Sequence, residues 1–256
     1  MNGFLAISRL QLRIIRRDPV FLVVMFGMPL ILMPLMKETI ALSLNASGYP
    51  DATGAEQLVP GQTVLFGFMV AGSAAFAIFR EHGWRTWDRL RASPASPRQM
   101  LAGFAAPWVL IHLFFQFVML GAGGVFFDLR LNGGSPAALL LTVVSFAACV
   151  VAIVILAAAT FRTVNQVQAL VNLGAMVFGG LGGALVPVEQ LPGWAEAVAP
   201  ISPQYWAMDA HRAIFLESGG VADVVGPCGI LLSIAVVAGG LASLRFRADE
   251  TKEFFA

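Results

Sequence analysis

Apolar residues run along this chain in long uninterrupted stretches broken by short charged or Pro/Gly-rich segments. Six of these stretches approach or exceed the roughly 20 apolar residues that a membrane-crossing helix needs. They lie at 20–41, 61–79, 100–126, 137–161, 165–186 and 226–244. The first is the least regular, because Lys37 and Glu38 interrupt it and Pro29 and Pro34 are expected to kink it. None shows the alternation, about ten residues long, of an outer-membrane β-strand. The pattern predicts an all-α polytopic membrane protein forming one transmembrane domain over 1–256.

Three segments outside the spans carry their own patterns. Over 3–17, Arg9, Arg13, Arg16 and Arg17 fall within an arc of about 100° on a helical wheel, with Phe4, Ile7, Leu10, Ile14 and Ile15 opposite. That is an N-terminal amphipathic helix suited to the membrane interface, its arginines on anionic head groups and its apolar face in the acyl boundary; an ordinary basic flank is the alternative. In 80–97, the helical period puts Trp84, Trp87, Leu90 and Arg91 on one face, and Pro94 and Pro97 are expected to stop the helix. Physics alone allows two readings: a stiff docking helix, or tryptophans at the head-group belt beside arginines that set orientation. The segment 187–225, interrupted by Pro187, Pro192, Pro200 and Pro203, predicts short half-buried helices.

The fifth span carries an unusual face. Asn165, Gln168, Asn172, Met176, Gly179 and Gly183 fall within about 80° of one another on the wheel. Amides facing lipid are costly, so this stripe is expected to face a partner helix or a wet cavity. His112 and Gln116 share a face of the third span, where a satisfied structural pair is the simpler expectation than a functional one.

Composition agrees with lipid as the main solvent: 58% of residues are hydrophobic, only 12% are charged, and mean hydropathy is +0.78. The net charge is only +1, so the distribution of charge is what informs. With the N-terminus inside, thirteen of the sixteen Lys and Arg residues lie on the cytoplasmic side and only Lys37, Arg130 and Arg212 lie outside. Both termini are therefore expected in the cytoplasm. The first long apolar run follows a basic stretch and lacks a small-residue cleavage site, so the N-terminus is expected to stay attached. Cys149 and Cys228 lie in apolar runs and are expected to be buried thiols rather than a disulfide. Arginine outnumbers lysine fourteen to two, a bias typical of GC-rich bacterial genomes.

Two sets of residues then give a specific resemblance. Pro60-Gly61 opens an apolar helix, followed by Glu81-x-Gly83 and by Arg89-Leu90-Arg91-Ala92-Ser93-Pro94. Gly182-Gly183 is followed by Pro187, Leu191-Pro192-Gly193-Trp194, Pro203 and Arg212. In that order, across essentially the whole chain, they resemble the membrane subunits of ABC type-2 transporters, the permeases of drug, lipid and polysaccharide exporters; Val186 departs from a position where an aromatic is common. The resemblance implies six spans with cytoplasmic termini in a bacterial inner membrane, and an exporter of hydrophobic drug-like or lipid substrates. It also implies a second permease copy or paralogue and a separate ATPase subunit that binds ATP and Mg, with membrane lipids and no nucleic acid as further partners. On the same grounds Glu81, Gly83, Trp84, Arg89, Leu90 and Arg91 couple to the ATPase. The stripe from Asn165 to Gly183 lines the conduit or a dimer interface, and Trp194, Tyr205 and Trp206 form an extracellular gate or belt.

The residues agree with an ATPase on another chain, because no phosphate-binding loop occurs and the only lysines are Lys37 and Lys252. An intramembrane lipid-modifying enzyme is disfavoured, since His82, His112 and His211 are scattered and no metal-ligand spacing or paired acidic motif appears. A channel or proton-coupled transporter calls for more charge within the spans than this chain has.

Overall fold

The computed structural model describes residues 3–17, 19–247, 249–250 and 252–253. Ten α-helices follow in order: α1 (Gly3–Ile15), α2 (Pro19–Ala46), α3 (Ala55–Gly83), α4 (Trp87–Arg91), α5 (Pro97–Phe126), α6 (Pro136–Thr160), α7 (Val164–Leu181), α8 (Gly193–Val198), α9 (Pro203–Phe215) and α10 (Val221–Arg245). Two 3-10 turns flank α8, at Val188–Gln190 and Ala199–Ile201. No β-strand forms among the described residues, although an isolated parallel bridge joins Thr163 to Glu253.

Among the described residues, five helices are long and apolar enough to cross a membrane: α2, α3, α5, α6 and α10. The sixth expected span is helical but is not among them. α7 has 18 residues, about 27 Å at the α-helical rise and just short of a typical hydrocarbon core. Asn165, Gln166, Gln168 and Asn172 also lower its hydropathy. The chain leaves the helix at Gly182 rather than continuing to residue 186, because Gly183 adopts a positive φ of 81°. Other limits move as well. α2 runs to Ala46 as one helix through Pro29 and Pro34, and α3 begins at Ala55 and extends through Gly83.

Three helix starts share one local cause. Ser96-Pro97, Ser135-Pro136 and Ser202-Pro203 each put a capping hydroxyl before a proline at the first helical position, where the missing N–H costs nothing. The serines accept from the backbone N–H of Gln99, Ala138 and Gln204 at 3.3, 3.4 and 3.1 Å. Pro97, expected to stop the preceding helix, therefore opens α5.

α3 is the hub, buried along most of its length and packed by α2, α5, α6, α7 and α9. Lipid supplies no hydrophobic drive for helices to associate, so close backbone approach matters, and small residues on α3 provide it. A Cβ at Gly72 would lie 2.5 Å from Val171 Cγ1 of α7, and one at Gly61 would strike the carbonyl of Ala184. α6 and α10 run parallel and share the largest helix contact. His112 and Gln116 of α5 are fully buried. Gln116 Nε2 lies 3.0 Å from His112 Nδ1 and donates to the Val143 carbonyl of α6 at 2.9 Å, so the two pair with each other, while His112 Nε2 and Gln116 Oε1 are buried without a hydrogen bond among the described residues. Cys149 and Cys228 are buried and free.

Candidate functional site

The segment 80–97 does not form one helix. α3 ends at Gly83, the chain turns through Arg85 at φ 56°, and α4 spans only five residues before Pro94. Trp84 and Trp87 consequently point apart, correcting the expectation that they share a face. Trp84 is 56% exposed with the Arg80 guanidinium 5.0 Å from its ring centre. Trp87 is 4% exposed and stacks on His82 at 4.2 Å, with Phe104 and Phe246 beyond. Arg89 and Arg91 are exposed, Arg91 lying 3.9 Å from Asp88, and Leu90 packs on the core.

Glu81, expected to contact a partner protein, is buried instead. Its carboxylate accepts from Gln11 Nε2 at 3.2 Å and from Thr86 Oγ1 at 2.5 Å. Arg80 Nη2 in turn donates to Gln11 Oε1 at 2.9 Å. One amide on α1 thus bridges a cation and an anion at the end of α3 and holds α1 and the turn in register. Gln11 was not legible as a site residue, although an amide spaced four from both Ile7 and Ile15 on a buried face was the available signal. Ile7 and Ile15 are buried by the protein rather than left to the acyl boundary, with Ile7 against Gly103 of α5. Arg9, Arg13, Arg16 and Arg17 are exposed.

On α7, Asn165, Gln168, Asn172 and Met176 are exposed, while Gly179 is buried against Leu65, and Gly183, past the end of the helix, against Val188. The Gln168 and Asn172 amides therefore lie at the surface of this chain. Val171 is 4% exposed and packs against Gly72. Gln168 also borders a cavity of about 260 Å³ among α1, α3, α5 and α7, lined by Ile15, Ser73, Phe76, Arg80 and Trp108 among others.

At the opposite end of the bundle the two sets of motif residues meet. Gln57 Nε2 donates to the Gly183 carbonyl at 2.5 Å, and Gly61 admits the Ala184 carbonyl. A Cβ on Gly182 would lie 2.6 Å from the Tyr205 backbone nitrogen of α9. Beside this node a cavity of about 340 Å³ is lined by Tyr49, Gln57, Glu189, Glu196, Tyr205 and Asp209, with Arg212 also at its wall. Arg212 pairs with Glu189 and, at 3.6 Å, with Glu217, and donates to Tyr49 Oη at 3.4 Å. Burial, reinforced by Glu217, holds the Asp209 carboxyl above the usual range. Of the three aromatics expected to act together, Tyr205 and Trp206 pack edge to face at 5.0 Å and Trp194 stands apart. Tyr205 lines the cavity, Trp194 is 69% exposed, and Trp206 donates from Nε1 to the Pro200 carbonyl at 2.9 Å.

Comparison with known proteins bears on the family. The ABC-2 type transporter model matches residues 2–216. The chain is similar to the linearmycin resistance permease protein LnrN of Bacillus subtilis (strain 168), with 30% identity over 198 residues covering 76% of this chain and 51% of that protein. It is also similar to the probable multidrug ABC transporter permease YbhR of Escherichia coli (strain K12), with 27% identity over 183 residues covering 71% of this chain and 48% of that protein. The chain spans about half the length of these curated relatives. With the family's pattern running through every helix from α1 to α9, the chain belongs to the ABC-2 type transporter family.

Proposed function

We propose that this chain is the permease subunit of an ATP-driven exporter in a bacterial inner membrane, moving a hydrophobic drug-like or lipid substrate out of the cytoplasm or inner leaflet. The observation that carries the reading is the exposed amide face of α7. Exposed amides such as those of Gln168 and Asn172 left against hydrocarbon are costly, so a second permease copy or a paralogue covers them, or a wet conduit runs between the two. The excess of Lys and Arg places α1, α4 and both termini in the cytoplasm, with α7 completing six spans. α1 then lies along the inner interface, its exposed arginines toward anionic head groups. The names of the relatives, a linearmycin resistance permease and a probable multidrug permease, support a hydrophobic substrate.

The ATPase binds ATP and Mg on its own chain and docks on the platform of Trp84, Leu90 and the exposed Arg89 and Arg91. Gly83 ends α3 where that platform begins, and Glu81 holds the platform through Gln11 and Thr86 without itself touching the partner. Closure of the ATPase dimer moves the platform and α1 as a body and switches the conduit between inward and outward openings. Tyr205 stands at the outward exit, with Trp194 at the membrane interface beside it.

Two outcomes test this reading. The purified chain should hydrolyse ATP only when the partner ATPase is added; turnover by the chain alone in a contaminant-free preparation would overturn it. Asn172→Leu should lower dimer affinity by about fivefold, the equivalent of roughly 1 kcal/mol for an interhelical amide contact, or impair transport. Val236→Leu on the exposed face of α10, 74% exposed in the chain, is the control. Equal effects of the two substitutions in crosslinking and transport assays would remove the special standing of the α7 face.

A further inference from the structure

The cavity among α1, α3, α5 and α7 has two kinds of wall. Ile14, Ile15, Met69, Phe76 and Val171 make it largely apolar, while Arg80, Ser73, Gln168 and Trp108 bring a guanidinium, a hydroxyl, an amide and an indole to it. Phe76 and Gln168 are exposed and stand where it meets the surface. We propose that this cavity binds the anionic head group of an amphiphile drawn from the lipid layer on the α1 side, with Arg80 as its counter-ion.

A guanidinium forms its strongest contacts with phosphate or carboxylate oxygens, and more so where apolar walls thin out the water. Arg80 is already oriented for this. Its Nη2 is held by Gln11 and its plane lies over Trp84, so little side-chain freedom is left to lose on binding. Size decides what part of a ligand enters. At about 260 Å³ the cavity is below the roughly 300–1,000 Å³ that encloses a whole drug-sized molecule. It takes a head group, and the rest of the ligand must lie outside. Exposed Phe76 at the rim offers an apolar surface for that part. The ligand class is therefore an anionic lipid or similar amphiphile. The placement of the α1 side at the inner leaflet rests on the orientation proposed above, whereas the binding does not.

The test uses the full chain in non-ionic detergent without any ATPase, so its failure would leave the exporter reading untouched. Native mass spectrometry is run with dihexanoyl phosphatidylglycerol, dihexanoyl phosphatidylcholine and inorganic phosphate as separate probes. The phosphatidylglycerol should bind more tightly than the phosphatidylcholine, and Arg80→Gln should weaken it by about tenfold or more, with Arg80→Lys weakening it less. Ser73→Leu, which fills the cavity and leaves every charge in place, should weaken the same lipid and serves if Arg80→Gln fails to fold. Equal binding of the two lipids, or phosphatidylglycerol binding indifferent to both Arg80→Gln and Ser73→Leu, would overturn the site. Inorganic phosphate binding as tightly as the lipid, with the same dependence on Arg80, would replace the amphiphile with a free anion and overturn the ligand class.

Discussion

Gly61→Leu should prevent recovery of a stably folded chain. Position 61 sits on the buried hub α3, and any side chain there is driven into the carbonyl of Ala184, a backbone atom that cannot rotate away. Overpacking against mobile side chains costs about 1–3 kcal/mol, and a collision with backbone belongs at or above the top of that range. The damage is not confined to one contact. Ala184 follows Gly182 and Gly183, which seat α9 and accept the Gln57 hydrogen bond, so displacing that turn unseats the whole end of the bundle. Thermal unfolding in detergent, followed by loss of the monodisperse species, measures the effect. Gly121→Leu is the control, because a Cβ there meets nothing within 4 Å. A Gly61→Leu chain that melts with the parent would show that the two motifs are not locked together.

The two tryptophans of the turn should separate stability from partner binding. Trp87→Ala removes a buried indole that stacks on His82 and packs against Phe104 and Phe246, a truncation worth about 3–5 kcal/mol when the site cannot collapse. Its unfolding midpoint should fall clearly. Trp84→Ala removes a side chain that is already more than half exposed, so unfolding should be unchanged. If the platform docks the ATPase, however, affinity should drop by roughly thirtyfold, the equivalent of about 2 kcal/mol for an interface anchor. Arg91→Ala should act in the same direction. It leaves the excess of cytoplasmic Lys and Arg intact, so the topology should not change. Co-purification of the ATPase decides the matter: unchanged affinity in both Trp84→Ala and Arg91→Ala would assign the platform to orientation alone.

Much of the architecture was legible because the membrane reduces it to lengths of apolar sequence. α5, α6 and the inner part of α10 lie close to the apolar runs that predict them, and both cysteines are buried thiols as their neighbours suggest. The stripe on α7 was expected to meet a partner helix or a wet cavity; in the chain its amides lie at the surface and its two glycines are buried. Local backbone choices were not legible. A single 100° wheel drawn through residues 84–91 assumes an unbroken helix, and nothing in an arginine at position 85 announces a left-handed turn. The burial of Glu81 was hidden for another reason. Its amide partner lies seventy residues earlier in the chain, and only the packing of α1 on α5 brings them together. Pro97 shows the ambiguity of proline, which ends one helix or begins the next according to whether a capping serine precedes it.

The hydroxyls buried in these helices bear on how the chain enters the bilayer during synthesis. Thr63 and Thr142 donate to carbonyls of their own helices, those of Val59 and Ala138, at 2.7 and 2.9 Å. α6 emerges from the ribosome well before α10, its main neighbour, yet Thr142 carries its own hydrogen bond and can wait in lipid at little cost. Gln116 is only partly provided for within α5: its amide nitrogen meets His112 Nδ1 on its own helix, and its second N–H donates to the Val143 carbonyl on α6. Released singly, α5 would expose that second N–H to hydrocarbon, whereas α5 and α6 released together as a hairpin would not. Release of α5 and α6 together as a hairpin is therefore the expected course, since it keeps the second N–H of Gln116 paired.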